Sequence, residues 1–213
     1  MENKIYSKVF LWLFIGMLMT FLTGIYTTTN EAALSVIFSG GFYWILVVAE
    51  LLLAIFLSAR IHKMSPTTAR ICYLLYTFLT GLTFSSLFIV YKLESILLVF
   101  GITSLLFLVF ALIGTTTKID LSKLGTYLLM MLLGIIICSI INIFLGNSTF
   151  DLVISCISII VFLGYIAYDV QKIKRLNGFL AEDNLAVIGA FELYLDFINI
   201  FIDLLRLFGK ADD

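Results

Sequence analysis

Apolar residues fill seven long stretches of this 213-residue chain, and short polar segments separate them. Most of the stretches reach the roughly 20 residues that an α-helix needs to cross the hydrocarbon core of a bilayer. They cover residues 9–28, 34–59, 69–91, 96–114, 121–145, 152–168 and 185–208. The pattern predicts one seven-span transmembrane domain over residues 1–213, in an all-α, polytopic membrane protein.

The composition supports a chain embedded in lipid and excludes other classes of protein. Hydrophobic residues make up 62% of the chain and charged residues 13%, whereas soluble domains carry roughly a quarter charged residues. The formal net charge is −1, and no basic cluster is present to neutralise a phosphate backbone. No nucleic-acid partner is therefore expected. The predicted partner is the lipid bilayer, and no sequence feature indicates a protein partner.

The cysteines and the histidine do not predict a cofactor. Cys72, Cys138 and Cys156 all lie inside apolar stretches, without the spacing of metal ligands and without an even count. We interpret them as small packing residues. The single histidine, His62, lies in a polar loop, where we expect it to be solvated. No bound cofactor is therefore predicted.

The distribution of Lys and Arg predicts the orientation of the spans. If the N-terminus is cytoplasmic, the opposite side carries only Lys92, Arg206 and Lys210. The other ten of the thirteen basic residues then lie on the cytoplasmic side: Lys4, Lys8, Arg60, Lys63, Arg70, Lys118, Lys123, Lys172, Lys174 and Arg175. Because cytoplasmic loops carry an excess of Lys and Arg, the N-terminus is predicted inside and the C-terminus outside. For a bacterial source, the predicted location is the cell membrane.

Five acidic residues lie within the apolar stretches or at their ends. Glu50 lies deep in the second span, and Asp169 lies at the inner end of the sixth. Glu192, Asp196 and Asp203 lie in the seventh. An ionised group inside a span costs several kcal/mol, so each of these acids is a candidate functional residue.

The polar residues of the seventh span share one face of the helix. At about 100° per residue, they fall within about 80° of one another. They are Glu192, Asp196, Asn199, Asp203 and Arg206. A helix with such a stripe cannot present it to lipid. We therefore expect the last helix to be central, with the other six spans wrapped around it.

Two of these acids are predicted to lie at a similar depth as Arg60. Arg60 follows Glu50 by ten residues, which places it at the inner interface. Asp169 lies at that depth too, and we hypothesise that Arg60, Asp169 and Asp196 meet in the cytoplasmic half of the bundle. Two carboxylates in a low dielectric cannot both ionise cheaply, so the pair would titrate as a unit. Such a site could be a proton sensor, a ligand set for a hard divalent cation such as Ca²⁺, or both.

Simpler structural roles are open for the same residues. Asp169 could be an interfacial residue paired with a lysine of the basic loop that follows it. Asp203 and Arg206 have the spacing of an i, i+3 ion pair. Glu50 could be a hydrogen-bond partner within the bundle.

Several segments resemble one known family. Residues 193–207 read LYLDFINIFIDLLRL, and residues 167–169 read Ala-Tyr-Asp, followed by Gln-Lys-Ile at 171–173. These segments resemble the two acidic signatures of the Bax inhibitor-1 (transmembrane Bax inhibitor motif) family. The second span, with Glu50 and Arg60, and the chain length are similar to bacterial members of that family. The resemblance covers essentially the whole chain.

This resemblance implies a fold and a function. The implied fold has seven spans, with the last helix wrapped by two groups of three. The implied function is a pH-sensitive calcium leak channel rather than an enzyme, with calcium as the transported ion and protons as the signal. Carried onto this sequence, the implied proton sensor is the pair Asp169 and Asp196, which is also the implied Ca²⁺ ligand pair. Arg60 is the implied latch, and Glu50 lies along the implied ion path.

The remaining polar residues of the stripe are candidate accessory residues. Glu192 and Asp203 do not belong to the family motif, and Asn199 lies between them on the same face. They could add cation affinity or be incidental.

Three other functions make different demands on the sequence. A proton/cation exchanger could use the same carboxylates to trade protons for a cation. An intramembrane aspartyl protease would need a Gly-x-Gly-Asp motif, whereas this chain reads Tyr194-Leu195-Asp196 and has Pro66 as its single proline. A retinal photoreceptor would need a Schiff-base lysine in the last span, and the first lysine there is Lys210, beyond the span.

Overall fold

Eight α-helices and one short 3-10 turn make up most of the protein, in a computed structural model that describes residues 2–211. The helices are α1 (Glu2–Thr29), α2 (Glu31–Ile37), α3 (Phe42–Arg60), α4 (Pro66–Val90), α5 (Leu93–Thr116), α6 (Leu124–Leu145), α7 (Ser148–Leu176) and α8 (Glu182–Phe208). Within these described residues, every helix except α2 is long and apolar enough to cross a bilayer. The prediction of an all-α, polytopic membrane protein with seven spans is confirmed.

The second predicted span, residues 34–59, is not one helix. α2 and α3 are separated by Gly40 and Gly41, whose φ angles are +53° and +83°. A right-handed helix cannot continue through such left-handed residues, which glycine adopts without steric cost. The spanning helix therefore begins at Phe42, and α2 is a separate short helix that starts at the capping side chain of Asn30.

The sixth predicted span, residues 152–168, ends too early. α7 continues well past residue 168, so Asp169 lies inside a helix rather than at its end. The side chain of Gln171 bonds to backbone groups of the loop before α6, at 2.8 and 2.9 Å. Arg175 pairs with Asp120 of the same loop at 3.2 Å. These polar contacts hold the last turns of α7, which apolarity alone could not predict.

The chain divides into two compact units, and α8 contributes to both. The first unit contains α1 to α4 and α8 up to Tyr194, and the second contains α5 to α7 and α8 from Leu195 onward. In the first unit α4 packs against α1 and α3, and in the second α7 packs against α5 and α6.

Glycines allow two of these helix pairs to approach closely. A Cβ atom on Gly81 of α4 would lie 2.8 Å from the backbone oxygen of Thr20 on α1. A Cβ atom on Gly114 of α5 would lie 2.5 Å from the backbone oxygen of Ala167 on α7. Small residues at helix interfaces are the usual means of close packing in lipid, where no hydrophobic effect drives helices together.

α8 is the most buried of the spans. In its most apolar 18-residue window 78% of the residues are buried, against 11–39% in the other six spans. In the first unit Tyr76 of α4 contacts Tyr194, with ring centres 5.9 Å apart. In the second, Phe100 and Phe107 of α5 contact Phe197 at 5.3 and 5.9 Å. The central position of the last helix and the wrapping of the other six helices around it stay predictions.

Charged groups hold the start of α8 in the first unit. Asp183 accepts hydrogen bonds from Lys8 of α1 at 2.9 Å and from Arg70 of α4 at 2.8 Å. Glu182 pairs with Lys8 at 3.4 Å. Acidic residues at a helix N-terminus interact favourably with the helix dipole. Because these side chains are about a third to a half exposed, solvent screens each pair and its contribution to stability is small.

We expect Gly114→Ala to destabilise the second unit. The added methyl group would collide with the backbone of α7, which cannot rotate away as a side chain can. Overpacking of this kind costs about 1–3 kcal/mol, and thermal unfolding of the purified protein in detergent measures it. Gly101→Ala, in the same helix but with no atom within 4 Å of the new Cβ, is the matched control. Equal unfolding temperatures for the two variants would contradict the close approach of α5 and α7.

Candidate functional site

Two aspartates from different helices of the second unit are buried in one neighbourhood. Asp169 on α7 is 6% exposed, and Asp196 on α8 is 4% exposed. Tyr165, one turn before Asp169, interacts electrostatically with both carboxyl groups. Both acids therefore lie within electrostatic reach of one phenol, and their direct pairing stays a prediction.

Two ionised carboxylates in a low dielectric repel one another strongly, and a proton held between them removes that repulsion. The predicted pairing of Asp169 with Asp196 would therefore favour a shared proton. Lys172 lies 4.0 Å from Asp169, one turn further along α7. The interfacial lysine pair expected from the sequence is therefore present.

A third buried acid, Asp203, has a basic partner. Arg206 lies 3.5 Å from Asp203 on the same helix and 3.4 Å from Asp151 on α7. Its guanidinium also donates a hydrogen bond to Ser155 at 3.1 Å. The i, i+3 pair predicted from the sequence is therefore present, and Asp203 shares the cation of Arg206 with Asp151.

Glu50 is held by hydroxyl groups in the first unit. Thr80 donates to one of its carboxylate oxygens and Thr83 to the other, both at 2.7 Å. Thr80 is fully buried and Thr83 is 6% exposed. The half-buried Glu50 of α3 therefore points its carboxyl group toward the buried face of α4. The phenol of Tyr76, one turn before Thr80, interacts electrostatically with Glu50.

The other predicted site residues belong to the first unit or have a partner within their own helix. Arg60 is exposed in the last turn of α3, in the first unit. Glu192 is half-buried on the part of α8 that belongs to the first unit. Asn199 donates to the backbone oxygen of Leu195 at 2.7 Å, a bond within its own helix. The latch role of Arg60 and the accessory roles of Glu192 and Asn199 stay predictions.

The donor sets of the described residues bear on the Ca²⁺ prediction. Among them, no group of three or more His, Cys, Asp or Glu side chains is placed to hold a metal ion. Ca²⁺ takes about six to eight oxygen ligands, so the two aspartates alone could not complete a Ca²⁺ site. Cys72 and Cys138 are half-buried and Cys156 is exposed, so the packing role predicted for the cysteines does not apply to Cys156.

Comparison with known proteins decides the family. A family model described as "Inhibitor of apoptosis-promoting Bax1" matches residues 2–213. The chain belongs to the Bax inhibitor-1 family. The inner membrane protein YbhL of Escherichia coli K12 is 40% identical over 211 residues, which cover 96% of this chain and 90% of that protein.

Two further relatives of this Bax inhibitor-1 family protein come from distant bacteria. An uncharacterized protein of Borreliella burgdorferi is 39% identical over 215 residues, which cover 98% of this chain and 93% of that protein. An uncharacterized membrane protein of Streptococcus pyogenes serotype M1 is 38% identical over 174 residues, or 80% and 75% of the two chains. The relatives named as membrane proteins and the seven apolar helices agree that the chain is an integral membrane protein.

Sequence reasoning missed the residues that surround the acids of this Bax inhibitor-1 family protein. Tyr165 and Asp151 of α7 were not predicted as site residues. Tyr165 interacts with Asp169 and Asp196, and Asp151 pairs with Arg206. Thr80 and Thr83 were also missed, since threonines in lipid are so often packing residues. Their spacing of three residues, which places two hydroxyls on one helix face, was the available signal.

We expect Arg206→Met to destabilise the second unit because it leaves the buried carboxylate of Asp203 without its cation. The loss should be about 1–3 kcal/mol, measured by thermal unfolding in detergent. Adding Asp203→Asn should recover part of the loss, since the buried charge is then removed as well. If the losses of the two single variants simply add in the double variant, the ion pair does not contribute to stability as described.

Proposed function

We propose that this Bax inhibitor-1 family protein is a pH-sensitive calcium leak channel, not an enzyme, with Asp169 and Asp196 as its proton sensor. The observation that carries the proposal is that these two acids, both almost fully buried, both interact electrostatically with Tyr165. Acids inside a membrane-spanning bundle are costly, and they commonly mark ion paths or proton relays.

Protonation of the pair controls the channel in this proposal. With one proton shared between them, Asp169 and Asp196 hold α7 and α8 together and the path is closed. Loss of the proton adds like charge, which loosens the contact and makes the site attractive to a cation. Arg60 serves as a latch on the closed state, and Glu50 lies along the ion path.

Calcium is the proposed cargo because of the chemistry of the acids. Hard cations prefer carboxylate, carbonyl and hydroxyl oxygens. The neighbourhoods of Asp169, Asp196 and Glu50 offer oxygen ligands from carboxyl, phenol and threonine groups. Two carboxylates attract a divalent ion without enclosing it, which suits passage more than storage.

We expect the pH dependence of Ca²⁺ entry to disappear in Asp196→Asn. The protein would be reconstituted in liposomes, and Ca²⁺ entry measured with an internal dye from pH 6 to pH 8. Wild-type entry should change several-fold over this range, whereas an amide at position 196 cannot lose a proton and should give a flat profile. The same variant should retain the thermal stability of the wild type within about 1 kcal/mol, which separates loss of sensing from misfolding.

Asp120→Asn is the matched control for this measurement. Asp120 lies in the loop before α6, where the side chain and backbone N–H of Ser122 lower its pKa, with a further contribution from Arg175. Because the pKa of Asp120 lies below its ordinary value of 3.8, this carboxylate stays ionised from pH 6 to pH 8. The control should therefore keep the wild-type profile.

Three results would count against the channel. Wild type that passes no Ca²⁺ at any pH excludes a leak. An Asp196→Asn profile that follows wild type excludes the sensor. Uptake of Ca²⁺ against its gradient, driven by an imposed proton gradient, would identify an exchanger that uses the same carboxylates.

A further inference from the structure

The loop between α5 and α6 is fastened to the end of α7 within the second unit. The side-chain amide of Gln171 donates to the backbone oxygen of Ile119 at 2.9 Å, and its oxygen accepts from the backbone N–H of Leu121 at 2.8 Å. Arg175, one turn further along α7, donates to Asp120 of the same loop at 3.2 Å. We call these three hydrogen bonds the clasp.

The clasp brings lysines from two separate segments to one end of the second unit. Lys118 and Lys123 flank the loop residues that the clasp holds, and Lys174 lies in the last turn of α7. All three side chains are exposed. Residues 117–123 and 168–176 together carry five basic side chains and two acidic ones. We call the three exposed lysines the lysine surface.

The acids of these two segments do not neutralise the lysine surface. Asp120 is paired with Arg175 at 3.2 Å, and Asp169 lies 4.0 Å from Lys172. Across residues 2–211, no acidic side chain is paired with either lysine of the loop. This end of the second unit therefore presents an excess of positive charge.

Apolar side chains beside the lysines favour a lipid partner over a soluble anion. Ile119 of the clasped loop is 71% exposed, and Tyr127 in the first turn of α6 is 62% exposed. The helices that meet here, α5, α6 and α7, are all long and apolar enough to cross a bilayer. Aromatic side chains at the ends of spans commonly lie at the level of the lipid headgroups. Lysine ammonium groups reach the same level on their flexible apolar stems.

We propose that the lysine surface binds the headgroup of an anionic phospholipid. A lipid such as phosphatidylglycerol carries a negative phosphate diester and no amine. Its phosphate oxygens would accept hydrogen bonds from the lysine ammonium groups, and its acyl chains would lie against Ile119 and Tyr127. Clusters of Lys and Arg immediately beyond a span are typical of such lipid contacts. The proposal depends neither on calcium nor on the pair of aspartates.

The clasp makes this surface a defined site instead of a diffuse basic loop. Residues 117–123 lie outside the helices, so the hydrogen bonds of Gln171 and Arg175 set the position of the loop lysines relative to Lys174. Lysines on a fixed backbone lose less conformational freedom on binding than lysines on a mobile one. Loss of the clasp should therefore weaken lipid binding although every lysine is kept.

Native mass spectrometry of the full-length protein in detergent tests the lysine surface. Phosphatidylglycerol and phosphatidylcholine with identical acyl chains would be titrated separately, and the lipid-bound fraction gives each dissociation constant. Wild type should bind phosphatidylglycerol at least roughly tenfold more tightly. Lys118→Gln, Lys123→Gln and Lys174→Gln should each weaken that binding roughly fivefold and leave phosphatidylcholine binding unchanged.

Two further variants separate a site from general charge. Lys63→Gln is the matched control, since Lys63 is an exposed lysine of the first unit on the side predicted to be the same, and it should bind as wild type does. Gln171→Leu keeps every charge but removes two hydrogen bonds of the clasp, and it should weaken phosphatidylglycerol binding. The lysine variants change exposed side chains alone, so they test the surface even if Gln171→Leu fails to fold.

Four results would overturn the inference. Equal affinity of wild type for the two lipids would show that a negative headgroup is not recognised. Equal losses in Lys63→Gln and in the three lysine variants would show a general effect of charge. Unchanged binding in a folded Gln171→Leu variant would show that the clasp does not form the site. Displacement of phosphatidylglycerol by an equal concentration of inorganic phosphate would identify a site for a soluble anion.

Discussion

The high cost of an ionised group in a hydrocarbon environment is the constraint on which the rest of this structure depends. At the centre of a span, one charged side chain costs about 2.5–3.5 kcal/mol on insertion scales. α8 carries two acids that are almost fully buried, Asp196 and Asp203. The helix can hold them only if other protein groups, not lipid, surround it. The high burial of α8 and its membership of both units follow from that requirement.

The protein uses three different solutions for its buried acids, and the differences suggest their roles. Asp203 has the cation of Arg206, and Glu50 has two threonine hydroxyls. Asp169 and Asp196 instead both interact electrostatically with Tyr165. A cation gives a fixed structural pair, whereas two acids that share a proton make a site depend on pH. In the proposed function, pH acts on the pair of aspartates.

Much of the fold could be predicted because lipid imposes one dominant pattern. The seven spans follow from apolar length, and the buried face of α8 follows from the angular positions of its polar residues. The prediction missed two features of the helices. It did not include the break at Gly40 and Gly41, and it ended the sixth span at residue 168, whereas α7 continues to Leu176. The first depends on left-handed backbone and the second on contacts with a distant loop. Family signatures mark Asp169 and Asp196, both of which are buried, and their pairing stays a prediction. Partners such as Thr80 depend on helix rotation, which hydropathy does not report.

The central claim is that Asp169 and Asp196 share one proton, and counting bound protons tests it most directly. Protons taken up by the purified protein between pH 8 and pH 5 would be measured for wild type, for the two single Asn variants and for the double variant. The account predicts that each single variant loses the same uptake step and that the double variant loses no more. Uptake equal to wild type in the single variants, or losses that add in the double variant, would contradict a shared proton.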